Sequence, residues 1–334
     1  MRRWLAFVGA VTGVLWVAYR WFGRQRPLGA APAMSLPSSY ESAAQHARSW
    51  LEEPAGGVIS GCEGIFLTHG RRTHRAIVLL HGFTNCPEQY VELAPAFFAL
   101  GYNVLAPRFP GHGMIEKGPQ SLQEMSAEGL MGTAARAIDI AHGLGDHVTV
   151  LGLSMGGLTA AWVAQNRGDV DEVVLVAPAL AYLAVPRCVQ GVVANLFLRL
   201  PDAVRWWDPK LMADAPGPAH AYRGFTTQSF AQMARFALLV LQQAGKQAPQ
   251  VNTLIVVTNP CDEAVNNTGA AQLGRSWERH GATVMRHVFP ADWGLPHDLI
   301  DPANAGPHLD RVYPLLVEWT DLKVHQSEQS AMVN

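Results

Sequence analysis

Residues 152–156 have the sequence G-L-S-M-G, in which a serine stands between two glycines. An apolar run, 147–151, comes directly before this motif, and a segment with helical spacing, 155–167, comes directly after it. A G-x-S-x-G motif at a sharp strand-to-helix turn is typical of a nucleophile elbow, because the glycines let strand and helix approach closely. We therefore predict that Ser154 is a nucleophile and that the backbone N–H of Met155 faces the reacting centre.

A serine nucleophile needs a base and an acidic group that orients the base. His297 lies in a loop directly after the last predicted strand, 283–289, and we assign it as the base. The predicted strand 253–257 is followed by Asp262, which is the candidate acid, and by Glu263, which is the fallback. The chain order is serine, acid, histidine, one of the orders in which such triads occur.

A second turn, with the sequence H-G-F, follows the apolar run 76–80. Gly82 has no side chain to keep the backbone away from a reacting carbonyl, so we predict that the backbone N–H of Phe83 completes an oxyanion hole. A histidine at such a turn more often fixes its loop by hydrogen bonds than acts as a base. We expect that structural role for His81 and for His112 in the sequence P-G-H-G.

The residues that could do chemistry lie at the ends of segments that alternate between strand and helix patterns. Short apolar runs are typical of strands buried on both faces, and the stretches between them have helical spacing. The predicted strands are 65–68 (part of an early hairpin), 76–80, 103–106, 147–151, 172–176, 253–257 and 283–289, and the predicted helices are 42–51, 87–100, 128–142, 155–167 and 307–322. This alternation predicts an α/β fold with a mostly parallel sheet.

The stretch 177–250 interrupts the alternation and is too long for a loop without structure of its own. We predict a helical cap insertion at 178–250. Most of its apolar side chains are expected to pack against the main sheet. The candidates for contact with an apolar substrate over the nucleophile are Phe197, Trp206 and Trp207.

The N-terminal segment combines apolar and basic residues. Residues 4–19 carry no charge and would span about 24 Å as a helix, with Arg2 and Arg3 before them and Arg20 after them. We predict a membrane anchor or uncleaved signal at 1–26; the alternative is a cleaved secretory signal, which the arginines after the apolar run disfavour. We expect a bacterial inner-membrane location. The flanking charges leave the orientation open.

Composition limits the classes of partner. The 334 residues carry a formal net charge of −2 and no basic run, which argues against binding to nucleic acid. No metal-ligand spacing, P-loop or dinucleotide motif is present, so we predict neither a metal nor a cofactor. The cysteines show no C-x-x-C spacing and their disulfide state stays open; they are Cys62, Cys86, Cys188 and Cys261.

With these motifs in place, residues 75–322 resemble the α/β-hydrolase superfamily, and most closely its bacterial carboxylesterase and monoacylglycerol-lipase-like branch. The resemblance is carried by H-G-F at 81–83, R-F-P-G-H-G at 108–113, the G-x-S-x-G turn, Asp262 with Val265, and His297. It implies an eight-stranded sheet with a helical cap after the sixth strand. It also implies ester hydrolysis without a cofactor. Because the cap is rich in apolar side chains, we expect short or medium acyl esters or monoacylglycerol-like lipids as substrates.

Two features depart from that branch. Asn85 and Cys86 stand where many relatives carry a small residue or glycine, and cytosolic esterases of the branch lack an N-terminal anchor. The predicted organisation is an anchor, a tether at 27–54, a catalytic core at 55–177 and 251–325 that holds the cap, and a tail at 326–334.

Two other functions fit the same residues. An acyltransferase would use the same triad and pass the acyl group to an alcohol instead of water. A non-catalytic, membrane-anchored binding protein on the same fold is the third reading, and the complete set of Ser154, Asp262 and His297 argues against it.

Overall fold

The computed structural model describes residues 27–29, 35–37, 39–52 and 57–333, without the side chains of 187, 188 and 322–333. Its helices are α1 (Tyr40–Glu52), α2 (Leu93–Ala99), α3 (Ala127–Leu144), α4 (Met155–Asn166), α5 (Arg187–Phe197), α6 (Thr227–Ala244), α7 (Thr268–Arg279), α8 (Pro302–Ala305) and α9 (Leu309–Val333). Its strands are β1 (Ile65–Leu67), β2 (Thr73–Leu80), β3 (Tyr102–Ala106), β4 (Gly145–Leu153), β5 (Glu172–Val176), β6 (Val204–Trp206), β7 (Gly224–Thr226), β8 (Thr253–Thr258) and β9 (Val284–Val288).

Seven strands form the central sheet of the described chain, in the order β1-β3-β2-β4-β5-β8-β9. Strand β1 is antiparallel to β3, and the other neighbouring pairs are parallel. The carboxyl ends of β2 and β4 are level, because Leu80 pairs with Gly152. These ends place the two predicted functional turns side by side. The predicted α/β fold with a mostly parallel sheet is confirmed.

The sheet has seven strands in the described residues, not the eight that the resemblance implied, and β1 forms no hairpin with β2. Backbone hydrogen bonds join the chain before β1 to the loop 108–115. The N–H of Ile59 donates to the carbonyl of Gly113, and the N–H of Ile115 donates to the carbonyl of Gly57. A disulfide joins Cys62 to Cys86. This segment is therefore held beneath the 108–115 loop and does not extend the sheet.

The predicted cap region contains strand as well as helix. Strands β6 and β7 form a separate antiparallel pair, with Val204 opposite Thr226 and Trp206 opposite Gly224. Helix α5 packs on α6, and α6 packs in turn on α4. Phe236 and Val240 of α6 are fully buried in the same core cluster as the sheet. Helix α6 thereby joins the cap to the main layer of helices.

Two parts of the predicted tether lie against α3. Near the start of that helix, Arg235 donates to the carbonyl of Pro27 and pairs with Glu128 at 2.8 Å. Further along it, the N–H of Ser35 donates to Asp139 at 2.8 Å. Since α3 starts at the catalytic edge of the sheet, the chain meets the domain at that edge. Residues 1–26, the predicted anchor, lie outside the described residues; none of the helices described has the length and apolar character needed to cross a bilayer.

Candidate active site

The turn between β4 and α4 holds Ser154 in a strained conformation. Its φ of 57° lies in the left-handed region, which non-glycine residues seldom adopt. A Cβ on Gly156 would lie 1.8 Å from the carbonyl oxygen of Leu80, and one on Gly152 would lie 2.2 Å from the carbonyl oxygen of Gly156. The glycines of the motif are therefore required by the close approach of β2, β4 and α4, which leaves the serine side chain at the sheet edge.

The structure brings the three predicted triad residues together. The Nε2 atom of His297 lies 2.8 Å from Oγ of Ser154, and its Nδ1 atom lies 2.7 Å from Oδ2 of Asp262. An ionised carboxylate only accepts hydrogen bonds, so the proton of the neutral imidazole lies on Nδ1 and Nε2 is free to accept from the serine hydroxyl. This is the arrangement required of a general base.

Two backbone donors fix the acid of the triad. Oδ1 of Asp262 accepts from the N–H groups of Ala264 and Val265 at 2.9 and 2.8 Å, and the carboxylate is 1% exposed. Glu263, the predicted fallback, is exposed, lines the cavity and makes no hydrogen bond to His297 among the described contacts. The Asx-type turn that starts at Asp262 thus selects between the two neighbouring acids.

A buried asparagine that the sequence analysis did not single out holds the loop of the base. Nδ2 of Asn259 donates to the carbonyls of Leu295 and Pro296, and its Oδ1 accepts from the N–H of Cys261. It therefore ties the end of β8 to the segment just before His297. In the sequence, the feature that could have indicated this role is the position of Asn259, a polar residue at the end of a buried strand and three positions before Asp262.

The turn after β2 is held by a neutral histidine. The N–H of Phe109 donates to Nε2 of His81 at 3.0 Å, so the proton lies on Nδ1, which donates to the carbonyl of Gly82 at 2.9 Å. Burial, with a smaller effect of nearby His112, holds the pKa of His81 well below its usual value. This matches the loop-fixing role expected of His81, and the fixed peptide determines where the N–H of Phe83 points.

A cluster of two carboxylates and their hydrogen-bond donors follows His297 in the loop of the base. Asp298 accepts from Gln89 at 2.5 Å and from Asn85 at 2.8 Å, and Asp301 accepts from Asn85 at 2.9 Å and contacts Nε2 of His220 at 2.8 Å. Burial, and secondarily the neighbouring carboxylate of Asp301, raises the pKa of Asp298 to about 6. The cluster links the turn after β2, the loop of the base and the cap.

A cavity of about 510 Å³ opens over Ser154. The large side chains of its apolar wall are Phe83, Leu153, Tyr182, Trp207, Phe230 and Met233, and its polar lining includes Arg223 and Glu263. Trp207, one of the predicted contact residues, packs against Phe225 with the ring centroids 4.5 Å apart and the ring planes tilted by 43°.

Trp206 and Phe197 do not line this cavity, which corrects the expectation that all three aromatic residues of the cap face it. Trp206 lies on β6 opposite Gly224, and neighbouring residues of a strand point to opposite faces. Phe197 is the last residue of α5, a helix that packs on α6.

The cysteines pair in a way that their positions along the chain did not indicate. Cys86, beside the turn after β2, is bonded to Cys62, and Cys261 is a free thiol. The side chain of Cys188 is outside the description. Within the described part of the chain, no group of three or more His, Cys, Asp or Glu side chains could hold a metal ion.

The chain is similar to known lipases in sequence. A family model described as Serine aminopeptidase, S33 matches residues 71–284, well over half of the chain. A curated relative, the thermostable monoacylglycerol lipase of Bacillus sp. (strain H-257), is 26% identical over 181 residues. That alignment covers 53% of this chain and 66% of the relative, slightly less than two thirds of its length.

Solved structures share the fold. The monoacylglycerol lipase of Paleococcus ferrophilus is 20% identical, with a TM-score of 0.58, and the match covers 77% of this chain and 98% of that one. A soluble variant of monoglyceride lipase from Saccharomyces cerevisiae, in complex with a substrate analog, is 12% identical, with a TM-score of 0.59 and coverage of 77% and 90%. The chain belongs to the serine aminopeptidase S33 family and has the α/β-hydrolase fold.

Proposed function

We propose that the protein is a serine hydrolase of carboxylic esters that forms an acyl-enzyme on Ser154. The observation that carries this proposal is the continuous hydrogen-bonded chain from Ser154 through His297 to Asp262, with distances of 2.8 and 2.7 Å. Its position beneath an apolar cavity supports an ester substrate with an acyl chain.

In this mechanism His297 accepts the proton of Ser154 while the serine oxygen attacks the ester carbonyl. Asp262 keeps the imidazole in its reactive tautomer and stabilises the imidazolium that forms. The backbone N–H groups of Phe83 and Met155 donate to the developing oxyanion. His297 then gives the proton to the leaving alcohol and activates the water that releases the acid.

The substrate class is set by the cavity. Phe83, Trp207 and Phe230 form an aromatic wall that suits a short or medium acyl chain, with the ester group at Ser154. The relatives described as monoacylglycerol lipases support monoacylglycerol-like lipids as the natural substrates. Activity on p-nitrophenyl esters and monoacylglycerols, with none on aminoacyl or peptide substrates, is the expected profile, and activity on peptides alone would contradict the proposal.

The direct test is Ser154→Ala. We expect at least a thousandfold loss of turnover on p-nitrophenyl esters, because no other group replaces the nucleophile. The control is Ser276→Ala, at a serine that is 1% exposed on α7 and does not line the cavity over Ser154. It should keep its turnover. Release of the acid alone in the presence of an added alcohol would favour water over alcohol as acceptor, and acyl transfer to the alcohol would favour an acyltransferase.

We further propose that residues 1–26 anchor the protein in a membrane and that the catalytic domain lies in an oxidising compartment. The uncharged run 4–19 supports the anchor, and the Cys62–Cys86 disulfide supports the compartment. The contact of Pro27 with Arg235 supports an anchor attached near the catalytic edge. We expect the full chain to stay in membrane pellets after an alkaline wash and Leu15→Arg to release it; an unchanged Leu15→Arg pellet would contradict anchoring.

A further inference from the structure

One buried amide connects the two halves of the candidate active site. Gln89 is 1% exposed, and its Oε1 accepts the N–H of Gly82 at 2.9 Å. Its Nε2 donates to Oδ1 of Asp298 at 2.5 Å. Gly82 directly precedes the proposed oxyanion donor Phe83, and Asp298 directly follows the proposed base His297. A single side chain therefore spans from the oxyanion turn to the loop of the base.

The carboxylate of Asp298 determines which way this amide points. An ionised carboxylate has no proton to donate, so the NH2 group of Gln89 must face it and the carbonyl oxygen must face Gly82. The reversed amide would place two donors against each other at Gly82 and two acceptors against each other at Asp298. Both mismatches would be buried, where an unmet hydrogen-bonding group costs about 1–3 kcal/mol.

Gly82 is thus held at both of its backbone polar groups, its N–H in the peptide from His81 and its carbonyl in the peptide to Phe83. Gln89 holds the N–H of Gly82, while His81 donates to the carbonyl of Gly82. Gly82 also lies next to Gln89 and Ser154, because a Cβ placed on it would be in van der Waals contact with Nε2 of Gln89 at 3.4 Å and with Cβ of Ser154 at 3.7 Å. A rotation about the backbone of Gly82, once its N–H is released, would turn the Phe83 N–H away from the reacting carbonyl.

A second amide strengthens the link to the base loop. Nδ2 of Asn85 bridges Oδ2 of Asp298 and Oδ2 of Asp301, and Asn304 also donates to Asp298 at 2.9 Å. Neither of these two amides contacts the backbone of Gly82 in the described structure. Of these amides, Gln89 is therefore the one whose loss would release the oxyanion turn.

We propose that Gln89, oriented by Asp298, is a positioning residue that aligns the oxyanion donor Phe83 with the base His297. The inference rests on the proposed ester hydrolysis. Negative charge develops on the carbonyl oxygen only in the transition state, so misalignment of the donor lowers kcat and leaves KM nearly unchanged. A residue that only supports the fold would instead lower stability without this division between kcat and KM.

The test compares Gln89→Met with Gln165→Met. Gln165 is equally buried at 1% exposure and also makes hydrogen bonds with both ends of its amide, to Trp277 and to the carbonyls of Gln247 and Ala248, at the opposite edge of the sheet. We expect Gln89→Met to lower kcat roughly tenfold or more with KM within threefold. Gln165→Met should lose stability to a similar extent with kcat within twofold. Equal kcat in the two variants would overturn the proposal.

A double-mutant cycle with Asp298→Asn tests the orientation step and covers the case in which Gln89→Met does not fold. Asp298→Asn alone should lower kcat, and in the Gln89→Met background it should have little further effect, because both changes release the same peptide. Independent, multiplying effects on kcat, or an Asp298→Asn variant with wild-type kcat, would contradict the inference. If the wild-type protein hydrolyses no ester, the proposed function fails before this cycle is measured.

Discussion

Buried or partly buried carboxylates lie at both edges of the central sheet, and their hydrogen-bond partners differ between the two edges. At the edge away from the nucleophile, Arg167 pairs with Asp139 at 2.7 Å and with Asp169 at 2.6 Å. At the catalytic edge, Asp298 accepts from neutral amides and has no arginine or lysine partner among the described contacts. Asp139 and Asp169 therefore share a full positive charge, whereas Asp298 is held by amide dipoles.

The two environments move the carboxyl pKa in opposite directions. Hydrogen bonds from Arg167 lower the pKa of Asp169 to about 2, whereas burial raises the pKa of Asp298 to about 6. A guanidinium joins segments and favours the ionised acid, which serves stability. Amides leave the negative charge uncompensated beside the base, an arrangement that costs stability and is found where a site needs orientation.

The largest expected effect on stability is at Arg167. Arg167→Met leaves two acids without their cation at a position where the guanidinium is 5% exposed. We expect the free energy of unfolding to fall by about 3–5 kcal/mol, because an uncompensated buried charge remains. Urea unfolding measures the loss. The folded fraction should keep its kcat. A fall in kcat with little change in stability would contradict the assignment of Arg167 to stability alone.

The stability of the protein should also depend on pH in opposite ways at the two edges, although this effect is smaller. The lowered pKa of Asp169 contributes stability that is present above about pH 4 and lost as the pH falls toward 2. The raised pKa of Asp298 acts the other way, since the folded protein holds its proton longer and loses stability as the pH rises from about 4 through 6.

We therefore expect Asp169→Asn to flatten the rise in stability between pH 2 and 4, by about 1 kcal/mol after allowance for solvent screening. Asp298→Asn should instead remove a decline between pH 4 and 6. Thermal unfolding of both variants over this range gives the two slopes, and slopes that change in the same direction would contradict the assignment.

The sequence predicted those parts of the molecule that depend on local pattern and chain order. The apolar run at 172–176 is β5 without a change of boundary, and the glycines around Ser154 predicted a turn whose close contacts the structure explains. The order of Ser154, Asp262 and His297 was sufficient because each residue follows a predicted strand, and parallel strands end at one edge of a sheet.

The features that the sequence did not reveal depend on contacts between distant segments. The bridge from Gln89 to Asp298 spans 209 residues, and the Cys62–Cys86 bond exists because the chain before β1 turns under the 108–115 loop. The sequence could not show that Trp207 lines the cavity and Trp206 does not, because this depends on the short β6–β7 pair.

Active-site titration shows whether Ser154 carries the acyl group. Rapid mixing with an excess of a p-nitrophenyl ester should release a burst of one equivalent of p-nitrophenol per chain, and the mass of the quenched protein should increase by one acyl group on the peptide that contains Ser154. Ser154→Ala should show neither the burst nor the adduct. An adduct on another residue, or a burst that persists in Ser154→Ala, would contradict the account.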